Sequence, residues 1–467
     1  MSIVDRVKAR GLSDQPELPD LAQIRPRGLI QRLARGRGIW ALADQALISG
    51  TNFATMILVA RALNNPTQFG YYGNVNSLLL FAALLPTALV TQPHNVLGTA
   101  RFKLDQSVYA SYTTSTAFGQ LILSVLLAAA ALSLVPVSRA FHWETDQLLV
   151  ALAPSIVAWQ LQEFIRRVLY SENRTAAAFL NDIISYGGQT VLIAALWWRG
   201  QLTAVGAMYV LAATSATAVI LGLFQIRSSL AGRFDLKAWK DNWNFGKWLV
   251  GSEILTYLSS IQMYMILAAG LVGAAASGEL KAAQTLYGPA RVISFFLATV
   301  LPIQFAQALC SGNNALHRQV KSISLRVLPG IGAYCCLTAL FAGPLLLLFG
   351  RSFAAGRGVL ELYSVVAFLT YAQTIVAAAL TARHQTRYIF MGSVCGGIVA
   401  MAVGVPSIKL MGVYGALTTM LLTSVTVTLL YWKAYRSTLS ASEIAREMHA
   451  EIAEPIKAHN SKTEIAA

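Results

Sequence analysis

The sequence predicts an all-α integral membrane protein that crosses the bilayer about twelve times, on three observations. First, 55% of its 467 residues are hydrophobic and only 12% are charged, about half the charge of a soluble domain. Ionic side chains are costly in lipid, which accounts for the deficit. Second, twelve apolar runs meet or approach the roughly 20 residues a helix needs to cross hydrocarbon. Third, the cations alternate. With the amino terminus in the cytoplasm, 28 Lys and Arg fall on the cytoplasmic side and 7 on the outer side, leaving Arg291 inside a span. Adding or removing one span mid-chain would erase that bias, so it supports the count and puts both termini in the cytoplasm. The net charge of +15 then faces anionic lipid and calls for no nucleic acid.

The runs are 38–60, 69–90, 110–135, 148–169, 176–198 and 204–224, then 248–270, 280–309, 327–349, 360–380, 388–406 and 413–432. Residues 1–37 read as a cytoplasmic tail. They contain Asp5, Asp14, Glu17 and Asp20, have no early apolar core, and end in a basic collar of Arg32, Arg35 and Arg37. That is not the pattern of a cleavable signal. The longest connection, 225–247, divides the spans into six (38–224) plus six (248–432). Its Trp239 and Trp243 stand among Arg233, Lys237, Lys240 and Lys247, which suits an interfacial helix on the cytoplasmic face. The tail 433–467 is polar. Ser440 with Glu443 forms a capping-box pattern, and Ile444, Met448 and Ile452 mark an amphipathic helix. Span one opens Arg37-Gly38-Ile39-Trp40 and span seven opens Gly246-Lys247-Trp248. This is either a trace of a parallel repeat or the same Trp–basic interface anchor used twice.

Function is sought in the polar residues of the spans. In span one, Gln45, Ser49 and Asn52 recur at helical spacing, with Asp44, Thr51 and Thr55 beside them. In span seven, Glu253, Tyr257, Ser260 and Tyr264 do the same, flanked by Ser252, Thr256 and Ser259. Lipid does not tolerate such faces, so each looks at protein or at a water-filled cavity. Asp44 and Glu253 lie roughly 6–8 Å inside the interface. There they either bind protons or cations, or are solvated or paired with a nearby Lys or Arg. Arg291 is about 16 Å deep, between Gly288-Pro289 and Ser294-Phe295-Phe296. A midplane arginine faces a cavity, an acidic partner such as Asp44 or Glu253, or an anionic ligand, and guanidinium suits phosphate. Arg61 reads as an interface anchor. Pro86, Pro154, Pro289, Pro302 and Pro344 are expected to bend or interrupt their spans.

Other chemistry has no support. Cys310, Cys335, Cys336 and Cys395 form no CxxC pair, and His94, His142, His317 and His384 show no metal spacing. No phosphate-binding glycine loop, GxSxG or HExxH occurs in a suitable context. No catalytic residue, metal or cofactor is expected, and the outer loops are too short to house an active site.

Trp40-Ala41-Leu42-Ala43-Asp44-Gln45, Ser49-Gly50-Thr51-Asn52-Phe53, Ala60-Arg61-Ala62-Leu63 and Phe69-Gly70-Tyr71-Tyr72 resemble polysaccharide flippases. These are the O-antigen and exopolysaccharide exporters of the multidrug/oligosaccharidyl-lipid/polysaccharide (MOP) superfamily. Leu348-Phe349-Gly350-Arg351-Ser352-Phe353 and Met411-Gly412-Val413-Tyr414-Gly415-Ala416 resemble its second half. The resemblance implies two six-helix lobes in a MATE-like arrangement, alternating access around a central cavity, and a bacterial inner-membrane location. It implies an undecaprenyl-diphosphate-linked oligosaccharide as cargo and other polysaccharide assembly proteins as partners. Related lipid II flippases use cations of the first and eighth helices for the diphosphate. Arg291 matches the eighth-helix position, whereas Asp44 and Gln45 stand where the first helix would carry arginine. Gln45, Asn52, Tyr257 and Ser260 are then expected to meet sugar, and Asp44 or Glu253 to couple transport to an ion. A multidrug or metabolite antiporter of the same fold is the alternative, and a membrane glycosyltransferase or polymerase a weaker one.

Overall fold

The computed structural model describes residues 37–140, 143, 145–290, 293, 297–298, 300–383 and 385–437. The tail to residue 36 and the helix expected from Ser440 lie outside the described residues, as does Arg291. Among the described residues the regular structure is helical throughout. In chain order the N-terminal half has α1 Arg37–Leu63, α2 Pro66–Leu104, α3 Gln106–Ala140, α4 Asp146–Ser171, α5 over 175–198 and α6 Ala204–Gln225. The C-terminal half has α7 Leu236–Leu258, α8 Ile261–Val272, α9 Ala274–Leu286, α10 Leu301–Cys310 and α11 Asn313–Leu340. It ends with α12 Arg351–Ala382, α13 Thr386–Met411 and α14 Val413–Ser437.

Nine of the described helices are long and apolar enough to cross a membrane. The pair α7 and α8, bent by 54°, makes a tenth. Helix α5 is not among the nine. It carries Asn181, Asp182 and Gln189, all buried, and a helix polar in this way survives in lipid only by burying that face against protein.

Local chemistry sets the boundaries. Asn64 turns the chain with a left-handed φ of 43°, a conformation asparagine tolerates. Asn65 then caps α2 by accepting from the Thr67 amide at 2.8 Å, with Pro66 in the first turn. Asp235 caps α7 through the Lys237 amide at 2.8 Å. Of the prolines expected to disturb spans, Pro86 directly precedes a π-helical stretch, Thr87–Thr91, in α2. Pro93 precedes a second, His94–Gly98. A proline lacks its own N–H and crowds the preceding turn; for Pro93 that turn is the π stretch Thr87–Thr91, whose wider coil makes room for the ring. Pro154 sits inside α4 without ending it. Pro302 falls in the first turn of α10, where no helical donor is lost.

The halves meet where α2 crosses α9. A Cβ on Gly70 would collide with the Ala274 carbonyl, and one on Gly278 with the Pro66 carbonyl. Small residues permit this approach in a membrane, where packing has to replace the hydrophobic drive. Phe69 packs on Phe349 and Phe353, with centroids 6.3 and 5.6 Å away. Arg61 Nε donates to the Leu348 carbonyl at 2.8 Å, so its side chain ties the halves together.

The segment expected as a separate interfacial linker is helical from Leu236 and continues without a break into α7. Its first turns dock on the N-terminal half. Arg101 pairs with Asp241 at 2.7 Å, the Tyr112 hydroxyl donates to Asn242 Oδ1 at 2.7 Å, and Trp239 Nε1 donates to the Ser115 carbonyl at 2.7 Å. These contacts use up part of the Trp–basic pattern that suggested a surface helix.

Gly278→Leu should force α2 and α9 apart and destabilise the protein by about 1–3 kcal/mol, the usual range for overpacking. Gly330→Ala is the control, because a Cβ there meets open space. Melting curves in detergent check this: equal midpoints for the two variants would contradict the crossing.

Candidate functional site

A cavity of about 620 Å³ lies between the halves. Helices α1, α2, α4 and α5 wall one side, and α8, α9 and α12 the other. Gln45 and Asn52, expected from the α1 stripe, both line it, as do Ser49 and Phe53. Helix α2 adds Asn76, Gln92 and Asn95, while Gln262, Gln284, Tyr363 and Tyr371 come from the C-terminal half. The wall is therefore rich in side-chain amides and aromatic rings. An amide donates and accepts at once, and suits a ligand carrying many hydroxyls.

Tyr257 and Ser260 are not among the lining residues. The Tyr257 hydroxyl donates to the Ser77 carbonyl at 2.8 Å, and its ring meets Phe81 at 5.1 Å. Ser260 Oγ donates to the Tyr257 carbonyl at 2.7 Å, at the break between α7 and α8. The α7 stripe thus faces protein here: it seals α7 to α2 and satisfies the carbonyls freed by the bend. Glu253 is half-buried and joins neither the cavity wall nor an ion pair among the described residues.

Asp44 is fully buried and lies in an ionic cluster that the sequence did not reveal. Arg166 of α4 is its centre. Arg166 Nη2 meets Asp44 Oδ2 at 2.8 Å, Nη1 meets Glu163 Oε1 at 3.1 Å, and Nε approaches Asp182 Oδ2 at 2.9 Å. Neutral donors complete the shell. The Tyr170 hydroxyl donates to Asp44 at 2.6 Å, Gln162 Nε2 to Asp182 Oδ1 at 2.7 Å, and the Tyr186 hydroxyl to Glu163 at 3.0 Å. Arg167 Nη2 stands 3.8 Å from Glu163. One guanidinium thus joins carboxylates of α1, α4 and α5. Of the two alternatives for Asp44, the geometry displays the paired one, with Arg166 as partner. Any cation entering this cluster has to compete with a tethered one.

Among the described residues, three cations line the cavity: Arg166, Arg167 and Lys281. The charge tally counts the two arginines with the cytoplasmic side and Lys281 with the outer side, since each stands near the end of its run. The structure places all three within helices. Lys281 is buried, and its Nζ donates to Asn76 Oδ1 at 3.1 Å and to Gln284 Oε1 at 3.3 Å. Each lies several residues inside its helix and within a run that hydropathy drew, 148–169 for the arginines and 280–309 for the lysine, and that position was their signal in the sequence. Among the described residues no group of three or more His, Cys, Asp or Glu is arranged to hold a metal ion.

With this geometry in hand, the fold has known counterparts. The chain is similar to an inward-facing multidrug resistance MATE family transporter of the MOP superfamily, with TM-score 0.62 and 14% identity over 87% of this chain and 95% of that one. It is similar to the lipid II flippase MurJ in an inward closed conformation, with TM-score 0.63 and 11% identity over 86% and 87%. A MOP superfamily transporter from Pyrococcus furiosus, described as having a binding pocket of reversed polarity, gives TM-score 0.56 and 14% identity over 88% and 98%. The chain has the MATE/MOP fold. No protein-family model matches the sequence, and no curated protein does.

Arg166→Ala leaves three carboxylates facing one another in a largely buried site. Removing one partner of a buried ion pair costs about 3–5 kcal/mol, so the variant should lose most of its stability in detergent. Arg166→Lys should lose less, keeping the charge but not the fork. Denaturation midpoints for the pair check this; an Ala variant as stable as the parent would mean the cluster does not hold α1, α4 and α5 together.

Proposed function

We propose that this protein carries undecaprenyl-diphosphate-linked oligosaccharide across the bacterial inner membrane by alternating access, for surface polysaccharide synthesis. The observation that carries the reading is the cavity between the halves, with its amide and aromatic wall and its cations. Gln45, Asn52, Asn76 and Gln284 offer hydrogen bonds to sugar hydroxyls in both senses. Tyr363 and Tyr371 offer flat apolar faces. Arg291 supplies positive charge for the diphosphate, and Arg167 and Lys281, which line the cavity, add to it. The likeness in fold to a lipid II flippase supports a cargo of the same general kind.

In this reading the chain has twelve spans and both termini in the cytoplasm, with α7 and α8 forming the seventh span and α9 and α10 the eighth. The α2–α9 crossing then closes the outer side, and the cavity opens inward past Gln92, Asn95 and Arg167. Asp44 is the coupling carboxylate. An entering proton or sodium ion acts by loosening its pairing with Arg166, which ties α1 to α4. Glu253 is the second candidate for coupling.

The second reading is a multidrug or metabolite exporter, supported by the likeness to MATE transporters. Lys281 and Arg167 argue against cationic drugs, because like charges repel strongly where little water screens them.

Arg291→Ala, expressed at the normal level, should abolish or strongly reduce surface polysaccharide, and Arg291→Lys should retain part of it. Polysaccharide blotting of the two strains is the check. Normal surface polysaccharide in the Ala strain would overturn the diphosphate role. Drug resistance on overexpression, with polysaccharide unaffected by gene deletion, would favour the exporter.

A further inference from the structure

One side chain belongs both to the cavity and to the seam between the halves. The α2–α9 crossing is closed by glycines at Gly70 and Gly278 and by a hydrogen bond from Ser277 Oγ to Asn74 Oδ1 at 2.6 Å. One turn further along α9, the stem of Lys281 lies over Gly73, where a Cβ would come within 3.1 Å of Lys281 Cγ. Its ammonium then reaches Asn76 of α2 at 3.1 Å and Gln284 of its own helix at 3.3 Å. Lys281, Asn76 and Gln284 all line the cavity.

Asn76 offers that ammonium a neutral amide oxygen. A phosphate oxygen offers a charged one, and charge-assisted hydrogen bonds are roughly twice as strong as neutral ones. An anion in the cavity therefore competes with α2 for the same donor. A ligand shifts a conformational equilibrium only through its different affinity for the two states. Here the difference has a source. In the structure the ammonium is engaged by Asn76 of α2; with α9 moved off α2, a ligand would take the place of Asn76.

We propose that Lys281 is the trigger of the seam: a phosphate-bearing substrate draws its ammonium from Asn76 and so releases α9 from α2. The inference rests on the cavity being the binding site of a phosphate-bearing lipid, as proposed above. Cargo binding and opening of the closed side are then one event, and an empty cavity keeps the seam shut.

The test uses the full-length chain in nanodiscs, with Cys310, Cys335, Cys336 and Cys395 replaced and cysteines introduced by Asn74→Cys and Ser277→Cys. Their rate of disulfide formation under mild oxidant reads the closed seam. Farnesyl diphosphate is the probe and farnesol its uncharged control. The diphosphate should slow cross-linking by about fivefold or more, the low end of ordinary coupling between sites, and farnesol should not. Lys281→Gln should abolish the response, whereas Lys281→Arg should keep it. Asn76→Asp, which gives the ammonium a charged partner on α2, should speed basal cross-linking and blunt the response. No slowing in the parent, or equal slowing in the Gln and Asp variants, overturns the trigger. Surface polysaccharide separates the two claims. If gene deletion abolishes it but Lys281→Gln does not, the trigger fails while the cargo stands. If deletion leaves it intact, the cargo reading fails.

Discussion

Arg166 holds the N-terminal half together because a charge inside a membrane has nowhere else to go. A guanidinium taken out of water loses several kcal/mol of hydration, and recovers it only against well-placed carboxylates. Asp44, Glu163 and Asp182 provide them from three helices. The positions of α1, α4 and α5 follow from that requirement, and the wall of the cavity follows from those helices. Gln45 and Asn52 face the cavity because Asp44, on the same helix, is fixed to α4. The wall on the other side is set by a different constraint, the glycine crossing of α2 and α9. The cavity is the space these two devices leave between them.

The two devices differ in what they permit. An ion cluster inside one half is costly to break, so that half is expected to move as a unit. The seam between the halves combines glycines, a hydroxyl–amide contact and a lysine that donates to Asn76 and Gln284, and hydrogen bonds of this kind are individually modest. The alternating access proposed above needs this division: firm within each half, and reversible between them. Helix α7 adds a further restraint, since its first turns belong by contact to the N-terminal half while the chain continues through the bend at Ser259 and Ser260 into the C-terminal half.

Much of the fold was legible in the sequence because hydropathy has a length scale and helices in lipid must respect it. Most of the expected spans lie within described helices that extend a few residues beyond them, whereas 280–309 runs past the end of α9 and 327–349 past the end of α11. The polar face of α1 was legible too, since helical spacing alone groups Gln45 with Asn52. The ionic cluster was not. Arg166 and Arg167 stand close enough to the end of α4 to count as interfacial charges, and nothing local says that carboxylates of α1 and α5 approach them. Lys281 was hidden in the same way, near the start of the apolar run 280–309. The α7 stripe misled for a related reason. Periodicity shows that Tyr257 and Ser260 must be satisfied but not by what, and the satisfaction comes from Ser77 and from the bend itself.

In the proposed function the cavity moves a lipid-linked oligosaccharide from one leaflet to the other. Its most direct test is the purified protein in proteoliposomes carrying an undecaprenyl-diphosphate oligosaccharide in one leaflet, with a membrane-impermeant lectin reporting on the opposite face. The account predicts protein-dependent appearance of the glycan on the lectin side, and none in protein-free vesicles. Vesicles that export an organic cation while the glycan stays in its original leaflet would contradict it.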